Sequence, residues 1–322
     1  MAKYRVMVQM PLSEGLMSVF NNRPDVEVER FTELSEANIL QHVGNYDAAI
    51  LGIAPFTPAI VEKADRMKVV ARHGVGYDAV NVPALTKAGI PLAVAGTANS
   101  VTVAEHSLFF MLALAKQAIP YDREVRKGNW DVRYQKPAFD LAGKKVLVLG
   151  MGRIGRRLVP MLKAMSMDVH VYDPYIIQDS ITTMGATIVE DFRAVIGEFD
   201  FVSVNCPKNE DTTGLIGKAE IEAMKPTACL VNTARGGIID EADLLDCMKR
   251  NVIAGAGIDP FVVEPATAQE PLFQLDNVIF SPHSAGVTEE SMFRMGANTA
   301  QNVVDCFDGK LDPANVINKE VL

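Results

Sequence analysis

Three side chains in the sequence could carry proton and anion chemistry. His283 lies in Phe280-Ser281-Pro282-His283-Ser284-Ala285-Gly286, just after the apolar run 278–280. An imidazole there is either a structural residue that ends a strand or a proton donor within reach of a ligand. Arg235 lies in Asn232-Thr233-Ala234-Arg235-Gly236-Gly237. Two glycines beside it leave an open approach for a ligand carboxylate, which a guanidinium binds through paired hydrogen bonds. Glu264 stands in the apolar, proline-bounded stretch Asp259-Pro260-Phe261-Val262-Val263-Glu264-Pro265. Near a histidine, such a carboxylate would orient the ring and hold a proton on it. Taken singly, Arg235 reads equally as a surface ion pair, Glu264 as an exposed loop acid and His283 as a satisfied structural histidine.

A fourth feature widens the chemistry. Gly150-Met151-Gly152-Arg153-Ile154-Gly155 follows a strand-like run and opens a helical pattern, and the next strand-like run ends at Asp173. In a dinucleotide fold Gly150 makes the tight turn, Gly152 admits the pyrophosphate and Gly155 lets the helix pack on the strand. The helix N-terminus then turns its positive end to the phosphates. Asp173 would accept the ribose hydroxyls and repel a 2′-phosphate, which favours NAD over NADP. The competing reading is a glycine-rich turn with a surface aspartate.

These residues need a scaffold, and the apolar patterning supplies one. Short, nearly continuous apolar runs at 145–149, 169–172, 187–189, 201–205, 229–232, 252–258 and 278–280 alternate with helical patterns. That is the signature of a parallel sheet covered on both faces. Ligands in such sheets lie beyond the carboxyl ends of the strands. Asp173, Cys206-Pro207, Thr233-Ala234-Arg235, Asp259 and His283 each sit where a strand is predicted to stop. Runs at 4–10, 48–52, 69–72 and 92–94 repeat the style on a smaller scale.

The expected fold is therefore α/β, with two Rossmann-like, doubly wound parallel-sheet domains. The smaller, flavodoxin-like and discontinuous, is expected at 1–98 plus 288–322 and is read as the substrate-binding domain. The NAD-binding domain is expected at 99–287. Thr102 and Glu105 fit a capping box, so a long bridging helix is expected to start there and run to about Ala118. A helix from about Thr288 is expected to return to the first domain.

The totals narrow the partners. A net charge of -9 over 322 residues argues against nucleic acid and anionic membrane surfaces, both of which reward a basic face. A small anionic substrate needs only one local arginine. The most apolar segment, 108–115, falls far short of the roughly 20 residues that cross a bilayer. The opening MAKYRVMVQM shows no signal-peptide pattern, and the 4 cysteines show no metal-ligand spacing. A cytoplasmic protein with reduced thiols and no metal is expected.

With the residues in view, the chain resembles the D-isomer-specific 2-hydroxyacid dehydrogenase family, which includes phosphoglycerate dehydrogenases and glyoxylate/hydroxypyruvate reductases. The matching stretches are HGVGYDAV (73–80), NSVTVAEH (99–106), GKKVLVLGMGRIG (143–155), CPKNEDTTGLI (206–216), VNTARGGIIDEADL (231–244), AGAGIDPFVVEP (254–265) and SPHSAG (281–286). The resemblance implies hydride transfer between NAD(H) and a small 2-keto or D-2-hydroxy acid. It gives Arg235 the role of binding and polarising the keto acid, and makes His283 the acid/base with Glu264 as its partner. It places the Val75 and Gly76 N–H groups at the substrate carboxylate. Arg153, Ile154, Asp173, Cys206, Pro207, Thr212, Thr233, Ala234 and Arg235 would line the cofactor, with Asp259, His283 and Gly286 near the nicotinamide. It also implies a homodimer.

Phosphoglycerate-specific members of the family carry an arginine after the second strand of the small domain, where 51–57 here has no cation. Hydroxypyruvate or glyoxylate is accordingly expected ahead of 3-phosphoglycerate, and no C-terminal regulatory domain is expected. Glutamate at 264 sets the chain apart from formate dehydrogenases, which have glutamine there. The alternative from another class is an NAD-sensing corepressor of the same fold.

Overall fold

The computed structural model describes residues 3–52 and 54–322. The chain forms two compact units, one running to Asn99 and resuming at Val287, the other spanning Ser100–Gly286.

The first unit is built on five parallel strands: β1 (Tyr4–Val8), β2 (Val26–Arg30), β3 (Ala48–Leu51), β4 (Val69–Arg72) and β5 (Leu92–Val94), in the order β2-β1-β3-β4-β5. This is the flavodoxin-like order. The central strands are buried on both faces because helices cover both. Strand β2 was not expected from the sequence, because its residues alternate Val-Glu-Val-Glu-Arg, half-exposed at the sheet edge, and form no continuous apolar run. The cation-free stretch 51–57 thus follows the third strand of this unit and not the second; Ile53 within it lies outside the described residues.

The helix Glu289–Phe307 starts at Thr288, whose hydroxyl accepts the Ser291 N–H at 3.1 Å. It packs on the helix Glu14–Phe20 at very close range. A Cβ on Gly15 would lie 2.2 Å from the Phe293 carbonyl oxygen, and one on Gly296 would lie 2.7 Å from Ser13 Oγ. The C-terminal segment is stitched to the sheet by Asn302, which donates to the Val94 carbonyl at 2.8 Å, and by Asn318, which accepts the Leu92 N–H at 2.8 Å.

The second unit holds seven parallel strands: β6 (Lys145–Leu149), β7 (Asp168–Tyr172), β8 (Thr187–Ile188), β9 (Phe201–Val204), β10 (Cys229–Asn232), β11 (Gly255–Ile258) and β12 (Val278–Phe280). Their order, β12-β11-β10-β9-β6-β7-β8, reverses direction between β6 and β9. That reversal is the topological switch point, where ligands of open α/β sheets bind. The apolar run expected from 252 forms a strand only from Gly255, because a turn through left-handed Asn251 precedes it.

The helix of this unit nearest the boundary is Ser100–Ala115, so Thr102 is not its cap. Thr102 is a buried residue inside the first turn, and Glu105 is exposed. The helix ends before the expected Ala118, where Gln117 takes a left-handed conformation with φ 52. It packs against β10, β11 and the helix Gly155–Ala164 of its own unit. Among the described residues no helix is long and apolar enough to cross a membrane.

Candidate active site

At the switch point, three glycines meet three different steric demands. Gly150 follows β6 with φ 103, and a Cβ there would lie 2.7 Å from the Cys206 backbone nitrogen after β9. A Cβ on Gly155 would lie 2.3 Å from the Gly150 carbonyl oxygen, so the helix Gly155–Ala164 can approach the strand only without one. Gly152 has nothing within 4 Å of its Cβ position and is exposed. Two glycines are thus required by the fold, and the third keeps a space open in front of a helix N-terminus. Those residues suit a dinucleotide pyrophosphate.

Asp173 lies one residue beyond β7. Its Oδ2 accepts the Met151 N–H at 2.7 Å and its Oδ1 accepts the Tyr175 N–H at 2.9 Å. The carboxylate thereby fixes the glycine turn and retains lone pairs for ribose hydroxyls. Across the switch point, Thr212 closes the loop after β9 by donating to the Pro207 carbonyl at 2.7 Å. Burial pushes the Cys206 thiol up to about 11, so it stays neutral at pH 7. Arg153 is exposed, while Ile154 packs on the core at the helix start.

The ends of β10, β11 and β12 hold the remaining candidates. Thr233 is buried, its hydroxyl 2.7 Å from that of Ser107. Asn232 folds the next turn: its Oδ1 accepts the Ala234 N–H at 3.0 Å and its Nδ2 donates to the Arg235 carbonyl at 2.9 Å. The half-buried Arg235 donates from Nη1 to the Ala234 carbonyl at 2.7 Å.

Asp259, only 1% exposed, organises the loop that carries His283. Its carboxylate accepts the Ser281 hydroxyl, the Ser284 N–H at 2.8 Å and the Ala285 N–H at 3.0 Å. The His283 N–H donates to the Asp259 carbonyl at 3.1 Å, and His283 itself has φ 51. A non-glycine residue in that region is held there by its surroundings. The Asp259 carboxylate is thus engaged on three loop donors.

Glu264 and His283 meet. Nδ1 of the ring lies 2.7 Å from Glu264 Oε2, while Glu264 Oε1 accepts the Phe261 N–H at 2.9 Å. A carboxylate accepts, so this contact suits the tautomer with the proton on Nδ1 and leaves Nε2 turned away from Glu264. The ring is 45% exposed, which leaves that nitrogen an approach. Val75 and Gly76 follow β4 in the other unit and are half-buried. Gly286 ends the second unit.

The sequence reading assigned no role to several residues that hold this arrangement. Glu241 accepts the Val262 N–H at 2.7 Å, and His106 Nε2 lies 3.0 Å from Ser281 Oγ. All four chain stretches involved carry motifs legible in the sequence, but motifs do not show which members touch. Among the described residues no cluster of three His, Cys, Asp or Glu side chains could hold a metal ion, and all four cysteines are free thiols.

A family model described as D-isomer specific 2-hydroxyacid dehydrogenase, NAD binding domain, matches residues 108–285. The chain belongs to this family. A family relative, D-3-phosphoglycerate dehydrogenase of Archaeoglobus fulgidus, is 34% identical over 315 residues, covering 98% of this chain and 59% of its own length. The chain thus spans about 59% of the length of that relative. Glyoxylate reductase of Korarchaeum cryptofilum is 33% identical over 292 residues, covering 89% of this chain and 87% of its own length. Among solved structures, an acyclic imino acid reductase in complex with NADPH and D-Arg superposes with a TM-score of 0.86 at 25% identity, covering 97% of this chain and 99% of its own.

Proposed function

We propose that the chain is an NAD-linked oxidoreductase that interconverts a small 2-keto acid and the corresponding D-2-hydroxy acid. The observation that carries this reading is the 2.7 Å contact between His283 Nδ1 and Glu264, at the strand-end rim of the family's NAD binding domain. NAD(H), when bound, supplies or accepts the hydride, and the protein aligns and polarises. The Gly150–Gly155 turn and the helix N-terminus hold the phosphates, and Asp173 holds the ribose. His283 delivers a proton from Nε2 to the carbonyl oxygen during reduction and takes it back during oxidation. Glu264 fixes the ring and balances its positive charge. Arg235, permanently charged, binds the acid and stabilises negative charge on the reacting oxygen, often the largest catalytic contribution. Val75 and Gly76 are proposed as donors to the substrate carboxylate.

Relatives named for phosphoglycerate and for glyoxylate both match, and they do not support a preference for hydroxypyruvate. The substrate is therefore proposed as the class. A homodimer is proposed as the assembly. The helix Ala118–Arg126 supports it, because none of its residues is buried and it exposes Ile119 and Val125, near exposed Trp130 and Tyr134.

The test is NADH oxidation with glyoxylate, hydroxypyruvate, pyruvate and 3-phosphohydroxypyruvate. Turnover with one or more is expected. Tight NADH binding without turnover on any of them would replace the enzyme by an NAD-sensing binding protein. Light scattering on the same preparation should give twice 35.0 kDa, and a monomer would remove the dimer.

A further inference from the structure

The geometry points to Glu241 as a positioning residue for the Glu264–His283 pair. The inference rests on the reading of that pair given above. Glu241 is the first residue of the helix Glu241–Lys249, but it does not cap it; Asp240 does, accepting the Asp243 N–H at 2.9 Å. Glu241 instead accepts the Val262 N–H at 2.7 Å, across 21 residues of chain. The preceding N–H, that of Phe261, goes to Glu264 itself at 2.9 Å. Two successive backbone donors are thus divided between two carboxylates, and the second carboxylate is the one that meets His283.

The loop has little else to hold it. Val262 and Val263 are 53% and 73% exposed. Phe261 is buried against Phe273 and Phe280, and the backbone of Gly236 lies so close that a Cβ there would be 2.1 Å from the Phe261 carbonyl carbon. The ring and the glycine fix the loop at Phe261, and Glu241 fixes it at Val262, on the side leading to Glu264. Burial, together with the carboxylates of Glu270, Asp240 and Glu264, raises the proton affinity of Glu241. The Lys208 ammonium lies near Gly237 on the adjoining turn. A protonated Glu241 still accepts through its carbonyl oxygen, so glutamine can replace it as an acceptor.

The experiment is keto-acid reduction measured across pH for wild type, Glu241→Ala, Glu241→Gln, Glu264→Gln and the double variant Glu241→Ala/Glu264→Gln. Losing a hydrogen bond to a charged acceptor predicts a fall in kcat of about ten- to a hundred-fold for Glu241→Ala, with NADH affinity kept. Its pH profile should move in the same direction as that of Glu264→Gln. Glu241→Gln should restore most of the rate. In the Glu264→Gln background, Glu241→Ala should add less than about two-fold, because both act through one pair. Glu241→Asp, too short to reach Val262, repeats the test should the alanine variant not fold.

Wild-type kcat and pH profile in Glu241→Ala, or full additivity in the double variant, would overturn the assignment. Glu264→Gln without effect would remove the reading of the pair and this assignment with it. An impaired Glu264→Gln beside an untouched Glu241→Ala removes only the assignment.

Discussion

Asp173 works twice. Its two oxygens hold the Met151 and Tyr175 N–H groups, and in the cofactor site proposed above the same carboxylate would meet the further negative charge of a 2′-phosphate. Asp173→Ala should therefore raise the affinity for NADPH relative to NADH by about ten-fold or more, since one close like-charge contact is removed. NADH binding should weaken at the same time, because the glycine turn loses its anchor. Fluorescence titration with both dinucleotides reads the ratio, and an unchanged ratio would contradict the assignment. At this scale the sequence was informative for residues whose type is rare in their local setting: Arg235 and His283 beside strand ends and Glu264 in an apolar, proline-bounded loop could be collected before any contact was seen. It was silent on residues defined by a distant partner. Glu241 finds Val262 after 21 residues and His106 finds Ser281 after 175, and no local pattern encodes such distances.

Among the elements, the turn after β6 separates two kinds of glycine that the motif writes identically. Gly155→Ala places a Cβ 2.3 Å from the Gly150 carbonyl oxygen, so the helix must move off the strand. Overpacking of this kind costs about 1–3 kcal/mol. That variant should lose both thermal stability and NADH affinity. Gly152→Ala meets nothing within 4 Å and should melt like wild type, yet lose NADH affinity because its methyl group enters the space left for the pyrophosphate. Calorimetry and NADH titration on the pair test this; a destabilised Gly152→Ala would show that the open space is structural. The strands of the second unit were legible because burial on both faces makes them nearly continuous apolar runs. Edge strand β2 was not, as its alternating glutamates answer to solvent on one side. The start of the helix at Ser100 was misplaced because Thr102 and Glu105 satisfy a capping pattern that burial of Thr102 overrides.

For the molecule as a whole, stability should depend on pH through a residue outside the proposed chemistry. His73, 8% exposed, follows β4, and its Nε2 is buried without a hydrogen-bond partner. Burial, followed by the charge of Arg72, lowers its pKa from 6.5 to about 4. The folded ring thus resists a proton that the unfolded chain accepts. Above about pH 6.5 the ring is neutral in both states and the stability is fully present. As pH falls from there toward 4, the unfolded state gains protons that the folded state does not, and stability is lost. At pH 5 the loss from this residue is about 2 kcal/mol, taking 1.36 kcal/mol per pKa unit over the interval below the unfolded value. His73→Gln removes the titration and keeps a polar side chain of similar size. Denaturant midpoints at pH 7 and pH 5 should therefore lie closer together in His73→Gln than in wild type, with most of the difference arising at the lower pH. Equal pH sensitivity in the two proteins would place the acid lability in the carboxylates instead, and would mean that His73 takes up its proton without unfolding the sheet around it.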